Sequence, residues 1–366
     1  MKPINLLAKH DIGALSVMRL FITLVLVLLA MVSIGRTTPV CSKEDKFFEP
    51  VLRQSTFDSL FPTAYTMYAV GEYHYHKENE AFQLAVIPKL ITERNLGGIV
   101  LENGAAHAFL MRVYLRTGNE KFLRNVSLTP TEERFFRSLR LILKDLGRTE
   151  TFRVYGIDYE DYRQNTFVAI VLGIRAFEHK DSTLTALSEE LTPWIYIDDY
   201  WEREEFYHFF EETLPLYPRL AKRLEMIRNA YMVRADFLRK NFQKDNPLSR
   251  KREDFLAANL ARIIKANPSR VLFGQFGAMH TTNRPNSTWL ERPNWTSMVA
   301  LANAELGRKT IHPILFIANL GSCKRLGLTD AERKDMRSAA KRTKLAIIDL
   351  RKYHVFNGAV DWLVAP

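Results

Sequence analysis

Short apolar runs alternate with helical segments along this 366-residue chain, and this alternation is the feature that most constrains its fold. Apolar runs at residues 65–70, 99–101 and 152–157 read as strands. Between them, segments such as residues 78–94 carry apolar residues at helical spacing. Alternation of this kind is typical of parallel sheets. The pattern therefore predicts an α/β fold with a central, mostly parallel sheet flanked by helices.

The pattern changes in the middle of the chain. Residues 162–262 have almost no strand signal and are rich in aromatic and charged residues at helical spacing. We expect most of this segment, about residues 162–250, to be a helical insertion that covers the carboxyl ends of the strands. The α/β pattern then returns with a helix at 252–265 and strands at 271–275, 311–317 and 345–350. Residues 41–366 are accordingly predicted to form a single domain.

The N-terminal segment has the features of an export signal. Residues 20–34 are nearly continuously apolar, Arg19 precedes them, and Ser33 and Gly35 offer the small residues that a signal peptidase reads. We therefore expect residues 1–40 to be a signal peptide, or alternatively an uncleaved anchor that attaches the protein to a membrane through residues 20–34. Either interpretation predicts an exported protein, periplasmic, secreted or anchored at the cell envelope.

Charge and cysteine content exclude some classes of protein. The formal net charge is +11, but the basic residues are interspersed with acidic ones and lack the interleaved aromatic side chains of a nucleic-acid platform. We therefore expect no nucleic-acid partner. The two cysteines, Cys41 and Cys323, either form one long-range disulfide or remain unpaired, and they are too few for a cysteine-based metal site.

Polar residues stand where the predicted strands end. Glu72, His74 and His76 follow the first run, Glu102 follows the second, and His280 lies just beyond the strand at residues 271–275. The carboxyl ends of strands in open α/β sheets are where sites form, and Glu and His are the residues that acid–base chemistry needs. We therefore expect Glu72, His74, Glu102 and His280 to converge in one cleft.

Asp158 ends the third predicted strand, and Arg252 and Asn259 lie nearly two turns apart on one predicted helix, so both can face the sheet.

Several common catalytic motifs are absent. The sequence has no Gly-x-Ser-x-Gly elbow, no His-Glu-x-x-His zinc helix, no P-loop and no Gly-x-Gly-x-x-Gly turn.

Together these residues resemble a superfamily that groups the erythromycin esterase-like proteins with the ChaN-like haem-binding and TIKI/TraB proteins. Its pattern is Gly-Glu…His after the first strand, Glu after the second, an Arg-(Asp/Glu)-x-x-(Met/Leu)-Ala-x-Asn helix and a Gly-x-x-His turn. The corresponding segments here are Gly71-Glu72-Tyr73-His74, Glu102, Arg252-Glu253-Asp254-Phe255-Leu256-Ala257-Ala258-Asn259 and Gly277-Ala278-Met279-His280. Only one residue separates Glu72 from His74, which is closer to the ChaN-like spacing than to the esterase spacing.

The resemblance to the esterases implies hydrolysis of an ester or a related bond in a small molecule, without metal or cofactor. His74 would activate water as the general base, and Glu72 or Glu102 would orient it. His280 and Arg252 would steady the substrate carbonyl or its developing oxyanion. The substrate-binding residues are predicted to be Tyr73, His76, Asp158, Arg252 and Asn259.

Two alternatives remain open. The chain could be an envelope protein of ChaN type that binds haem or another ligand, with His74, His76, Tyr73 or Tyr75 as the iron ligand. It could instead be a metal-dependent protease of TIKI type. The sequence does not identify the substrate.

Overall fold

The computed structural model describes residues 43–72, 74, 77–124, 126, 128–160, 163–177, 182–192, 208–239, 248–281, 296–307, 310–316, 330–331, 334, 338, 346–349 and 362–365. From Phe47 onward the chain clusters as one compact unit. The strands are β1 (Met67–Glu72), β2 (Leu96–Gly104), β3 (Arg153–Asp158), β4 (Val271–Gly277), β5 (Ile311–Phe316), β6 (Ala346–Asp349) and β7 (Trp362–Ala365). The helices that precede β4 are α1 (Lys43–Leu52), α2 (Gln54–Leu60), α3 (Lys77–Arg94), α4 (Ala105–Thr117), α5 (Lys121–Arg124), α6 (Pro130–Asp145), α7 (Arg163–Phe177), α8 (Ser182–Leu191), α9 (Pro218–Arg239) and α10 (Leu248–Ala266). Helix α11 (Met298–Glu305) lies between β4 and β5.

The strands form one seven-stranded sheet in the order β3-β2-β4-β1-β5-β7-β6. Neighbouring strands from β3 to β7 pair in parallel, and only the edge strand β6 runs antiparallel to its neighbour. The predicted mostly parallel α/β sheet is therefore confirmed. The first strand begins two residues later than expected and continues to Glu72, and the short strand β7 was not predicted.

The two faces of the sheet pack against different helices because successive side chains of a strand point in opposite directions. Tyr68, Val70 and Phe273 face the layer that includes α3, α4, α6, α7 and α9. Met67 and Ala69 face the opposite layer, in which α10 and α11 pack on the sheet. Both faces of β1 and β4 are buried, which explains why these strands read as continuous apolar runs.

Between β3 and β4 the described segments are helical, as predicted for the insertion. They comprise α7, α8, α9, the first part of α10, a π-helical turn at Phe209–Thr213 and a 3₁₀ turn at Leu214–Leu216. Helix α9 meets the chain just beyond the carboxyl end of β3, where the Glu160 N–H donates to the Ala230 carbonyl at 3.4 Å. None of the described helices is both long enough and apolar enough to span a membrane.

Strand β2 passes directly into α4 without a loop, and a buried carboxylate stabilises this junction. A Cβ atom at Gly104 would lie 2.1 Å from Glu160 Oε2, so only glycine fits here. The same oxygen accepts the Ala106 N–H at 3.0 Å, at the positive N-terminal end of α4. Glu160 thereby ties the end of β3 to the end of β2, two residues beyond Glu102.

Candidate functional site

The first half of the candidate site is a glutamate–histidine pair at the end of β1. Glu72 is the last residue of the strand, and His74 lies in a turn. His74 Nδ1 lies 3.1 Å from Glu72 Oε1, and the His74 side chain is 49% exposed whereas that of Glu72 is 14% exposed. The pair therefore presents a half-exposed, carboxylate-oriented imidazole just beyond the carboxyl end of β1.

Strand β4 supports this pair from the side. Gln275 pairs with Val70 of β1 and faces the same side of the sheet as Glu72. Its Nε2 group donates to Glu72 Oε2, so the two oxygens of Glu72 serve two different partners.

The second half of the site centres on Glu102 in β2. Glu102 Oε1 accepts from Arg252 Nη2 at 3.0 Å and lies 3.2 Å from His280 Nε2. Its other oxygen, Oε2, accepts the Gly277 N–H at 2.7 Å. Three donors from α10, β4 and the turn after β4 thus converge on one carboxylate.

Arg252 links Glu102 to the end of β3. Its Nε group donates to Asp158 Oδ1 at 3.1 Å, and its Nη2 group also bonds to Asp158 Oδ2. The guanidinium lies 5.3 Å from the centre of the Tyr159 ring. Arg252 uses Nε and Nη2 for these carboxylates, and its Nη1 makes no bond to a residue in the described part of the chain. The side chain is 26% exposed.

His280 is held between two carboxylates. Its Nε2 faces Glu102, and its Nδ1 forms an ion pair with Glu253 Oε1 that lacks the angle of a linear hydrogen bond. Glu253 is 1% exposed, and its other oxygen accepts the Met298 N–H at 2.6 Å, at the start of α11. Both ring nitrogens of His280 are therefore engaged.

Gly277 stands where the two halves meet. A Cβ atom there would lie 2.8 Å from His74 Nε2 and 3.3 Å from His280 Cδ2. A side chain at this position would therefore fill the space in which the two imidazoles approach each other.

The electrostatics of the two histidines differ. The bond to Glu72 raises the pKa of His74 above 6.5, against the opposing effect of partial burial. For His280, burial favours the neutral ring, but the charges of Glu102 and Glu253 outweigh it and raise the pKa to about 10. His280 is thus an imidazolium at neutral pH, whereas His74 can exchange a proton.

Charge also fixes the protonation states of Glu102 and Arg252. Burial alone would raise the pKa of Glu102, but His280, Arg252 and the Gly277 N–H hold it well below its usual range. Burial disfavours the charge of Arg252, yet Asp158 and Glu102 outweigh this and keep the Arg252 pKa above its usual value. Glu102, Arg252 and His280 therefore all carry their charges at neutral pH.

The structure brings together six of the residues that the sequence singled out: Glu72, His74, Glu102, Asp158, Arg252 and His280. Asn259 lies two turns further along α10, and its Nδ2 group donates to the Ile157 carbonyl at 2.8 Å. That bond attaches the helix to β3. Tyr73 and His76, also predicted to bind substrate, lie outside the described residues, as do Tyr75 and both cysteines.

Three residues of the site were not predicted: Glu253, Gln275 and Gly277. Glu253 follows Arg252 in the helix motif, and Gly277 opens the Gly-x-x-His turn, so a signal for both was present. Gln275 could have been noticed as a polar side chain in an otherwise apolar strand. Within the described part of the chain, no group of three or more His, Cys, Asp and Glu side chains is arranged to hold a metal ion.

The sequence matches no family model and no curated protein. Three solved structures nevertheless have a similar fold. A mutant of the erythromycin esterase EreC in its open conformation superposes with a TM-score of 0.54 at 16% identity, covering 85% of this chain and 93% of that one. A Bacillus cereus protein solved by structural genomics gives 0.57 at 14% identity, with coverage of 88% and 96%. A succinoglycan biosynthesis protein gives 0.60 at 12% identity, with coverage of 87% and 90%.

These likenesses extend over nearly the whole of each chain, and at this level of identity they concern the fold. The chain has the erythromycin esterase-like fold that its motifs led us to expect.

Proposed function

We propose that this protein is a hydrolase that cleaves an ester or a related bond of a small molecule. The observation that carries the proposal is the contact of 3.1 Å between Glu72 Oε1 and His74 Nδ1, on an imidazole that is half exposed. A histidine oriented by a carboxylate is the usual general base for activating water.

In this mechanism His74 carries the proton. The Nδ1–H group donates to Glu72, so the neutral ring has its lone pair on Nε2, the atom that lies toward Gly277. Nε2 would take a proton from water as the water attacks the carbonyl carbon. The Glu72 carboxylate then stabilises the imidazolium that forms. As the tetrahedral intermediate collapses, the imidazolium would return its proton to the oxygen of the breaking C–O bond, so that the alcohol leaves neutral and the carboxylic acid product remains.

Arg252 and His280 would contribute in different ways. Arg252 still has its Nη1 group to donate to the carbonyl oxygen as negative charge develops there. His280 has no such group, because Glu102 and Glu253 engage both of its nitrogens. Its role would be to keep Glu102 in place and to supply a fixed positive charge, instead of the direct contact with substrate that the sequence suggested.

The test is a screen of the full-length chain against p-nitrophenyl esters of graded acyl length and against lactones, with and without a chelator. We expect hydrolysis that the chelator leaves unchanged and that His74→Ala reduces by about two to four orders of magnitude. Chelator-sensitive turnover that returns with a divalent cation would favour the metal-dependent protease instead.

Haem binding is the second candidate, and the same contact favours it. A carboxylate bonded to one ring nitrogen is the usual arrangement behind a metal-ligating histidine, and His74 Nε2 is a suitable iron ligand. Haem titration followed by absorbance tests this candidate. A Soret shift that disappears in His74→Ala would support haem binding, and an unchanged spectrum would oppose it.

We also propose that the protein is exported and acts on a small-molecule substrate, with membrane attachment through residues 20–34 if the leader is retained. These residues lie outside the described part of the chain. Fractionation of native cells tests the proposal: full-length protein in the soluble cytoplasmic fraction would contradict it, whereas recovery from the envelope or the medium would support it.

A further inference from the structure

Gln275 is a polar side chain in a place where the fold favours an apolar one. It lies on β4, between Val70 of β1 and Leu101 of β2, and its neighbours Phe273 and Phe276 are fully buried. Gln275 itself is half-buried, and any atom of its amide that is shielded from water must find a partner in the protein.

Of the two polar groups of the Gln275 amide, one has a hydrogen-bond partner among the described residues. Gln275 Nε2 donates to Glu72 Oε2, but Gln275 Oε1 is buried and accepts no hydrogen bond from the described residues. An unsatisfied buried acceptor is destabilising, so packing alone does not account for this residue. A methionine of similar length would fill the same space without an unpaired polar atom.

The partner of Gln275 explains the arrangement. Glu72 is 14% exposed and makes two side-chain contacts, with Oε1 facing His74 Nδ1 and Oε2 facing Gln275 Nε2. A neutral amide can orient the carboxylate without neutralising it, whereas a lysine or arginine in its place would compete with His74 for the negative charge.

We propose that Gln275 is a positioning residue that holds the Glu72 carboxylate in place, with one oxygen directed at His74. The proposal rests on the proposed role of His74 as the base. It goes beyond that role by assigning the orientation of the Glu72–His74 pair to a side chain of the neighbouring strand β4, which bonds to the glutamate.

The consequence is a change in the titration of His74. Burial raises the pKa of Glu72, and the bond from Gln275 opposes that rise. Without the amide, Glu72 would protonate more readily and turn more freely, so His74 would lose part of the charge that stabilises its protonated form. Removing the amide should therefore lower the pKa of His74.

The experiment compares Gln275→Met with Gln83→Met in the full-length chain. Gln83 lies on α3, and substituting it changes the same chemical group away from the Glu72 contact. The histidine ring signals are followed by NMR through a pH titration, and His74→Ala identifies the His74 signal. Should Gln275→Met not fold, Gln275→Leu removes the amide donor without adding a charge beside Glu72.

We expect the His74 midpoint to fall by about half a pH unit or more in Gln275→Met and to stay unchanged in Gln83→Met. The acidic limb of the hydrolysis profile should move by the same amount, with kcat reduced and KM unchanged. A Gln275 variant with lower stability but an unmoved His74 midpoint would overturn the proposal, because a merely structural residue would behave in that way.

The outcome separates this proposal from the proposed function. A shifted His74 midpoint in a protein that hydrolyses nothing would support the positioning role and contradict the hydrolase. Hydrolysis that depends on His74, together with an unmoved midpoint, would support the hydrolase and contradict the role of Gln275.

Discussion

The two halves of the site contain the same kinds of residue but differ in electrostatics. His74 is 49% exposed and, among the described residues, forms an ion pair with one carboxylate, whereas the His280 side chain is 9% exposed and lies between two. One carboxylate at a partly solvated imidazole leaves it able to gain and lose a proton. Two carboxylates in a buried place hold the other imidazole in its charged form.

The comparison shows that a histidine beside a glutamate does not by itself identify a general base. His280 forms the closer network, but its pKa of about 10 makes it a poor base at neutral pH. The role of each histidine follows from its burial and from the number of carboxylates that face it. The predictions below test this difference between the two halves.

The largest expected effect is on turnover. His74→Ala should lower kcat/KM by about two to four orders of magnitude, because the general base is lost, while the melting temperature changes little. In the wild type the rate should rise with pH through an apparent pKa above the ordinary histidine value of 6.5, because Glu72 raises the pKa of His74. Steady-state kinetics across pH measures both.

His208→Ala is the matched control for that prediction. His208 also lies beside a glutamate, with Nδ1 2.8 Å from Glu212 Oε2, but both side chains are more than 60% exposed. Its removal should leave turnover unchanged. Full turnover in His74→Ala would show that His74 is not the general base.

The second effect is on stability and belongs to the buried half. His280→Gln should lower the unfolding free energy by about 3–5 kcal/mol near pH 6.5, because the Glu102 and Glu253 carboxylates lose the cation between them. The pKa of His280 is raised to about 10, so this contribution is fully present below 6.5 and lost as the pH rises through 10. Urea unfolding across that interval measures the difference between wild type and variant.

His107→Gln is the control, because His107 is also buried but contacts no such pair of carboxylates. Burial lowers the pKa of His107 to about 4, so the ring is neutral in both the folded and the unfolded chain above 6.5. The cost of His107→Gln should not vary with pH there. A pH-independent cost for His280→Gln as well would mean that His280 is not held as an imidazolium.

The convergence of the site residues could be anticipated from the sequence, because all strands of a parallel sheet run in the same direction and end at the same edge. Glu72, Glu102 and Asp158 each end an apolar run, so once the sheet is parallel they must stand at the same edge. Strand ends could be located to within a few residues, since burial on both faces gives a continuous apolar run.

The pairing within the site could not be anticipated, because the order of strands in space differs from their order in the chain. Either Glu72 or Glu102 could have oriented His74 on sequence grounds. Strand β4 lies between β1 and β2, which separates the two glutamates and places Gln275 beside Glu72. The partnership of Glu253 with His280 similarly depends on how α10 packs on the sheet.

A third prediction concerns Gly277, which lies where the two halves of the site meet. Gly277→Ala should lower turnover by about 10- to 100-fold, because the new Cβ atom would press on His74 Nε2, 2.8 Å away, and displace it. Gly173→Ala is the control, since a Cβ atom there would meet only Leu224 Cδ2 at 3.8 Å, and it should stabilise α7 by about 0.5–1 kcal/mol. Full turnover in Gly277→Ala would show that the imidazoles do not need to approach each other.

The smallest expected effect concerns Asn259. It shows whether this side chain binds substrate or only supports the fold. Its amide donates to the Ile157 carbonyl at 2.8 Å, so Asn259→Ala should cost about 1 kcal/mol of stability and leave KM within about twofold of the wild type. Asn267 is a matched control because it also ties α10 to β3, bonding to the Ile263 carbonyl at 2.8 Å and accepting from the Tyr155 hydroxyl at 2.9 Å. If both variants lose stability alike and keep their KM, the attachment of α10 is the whole role of Asn259. A KM that rises about tenfold in Asn259→Ala alone would show instead that its amide binds substrate, as the sequence suggested, and would extend the site two helical turns further along α10 than Arg252.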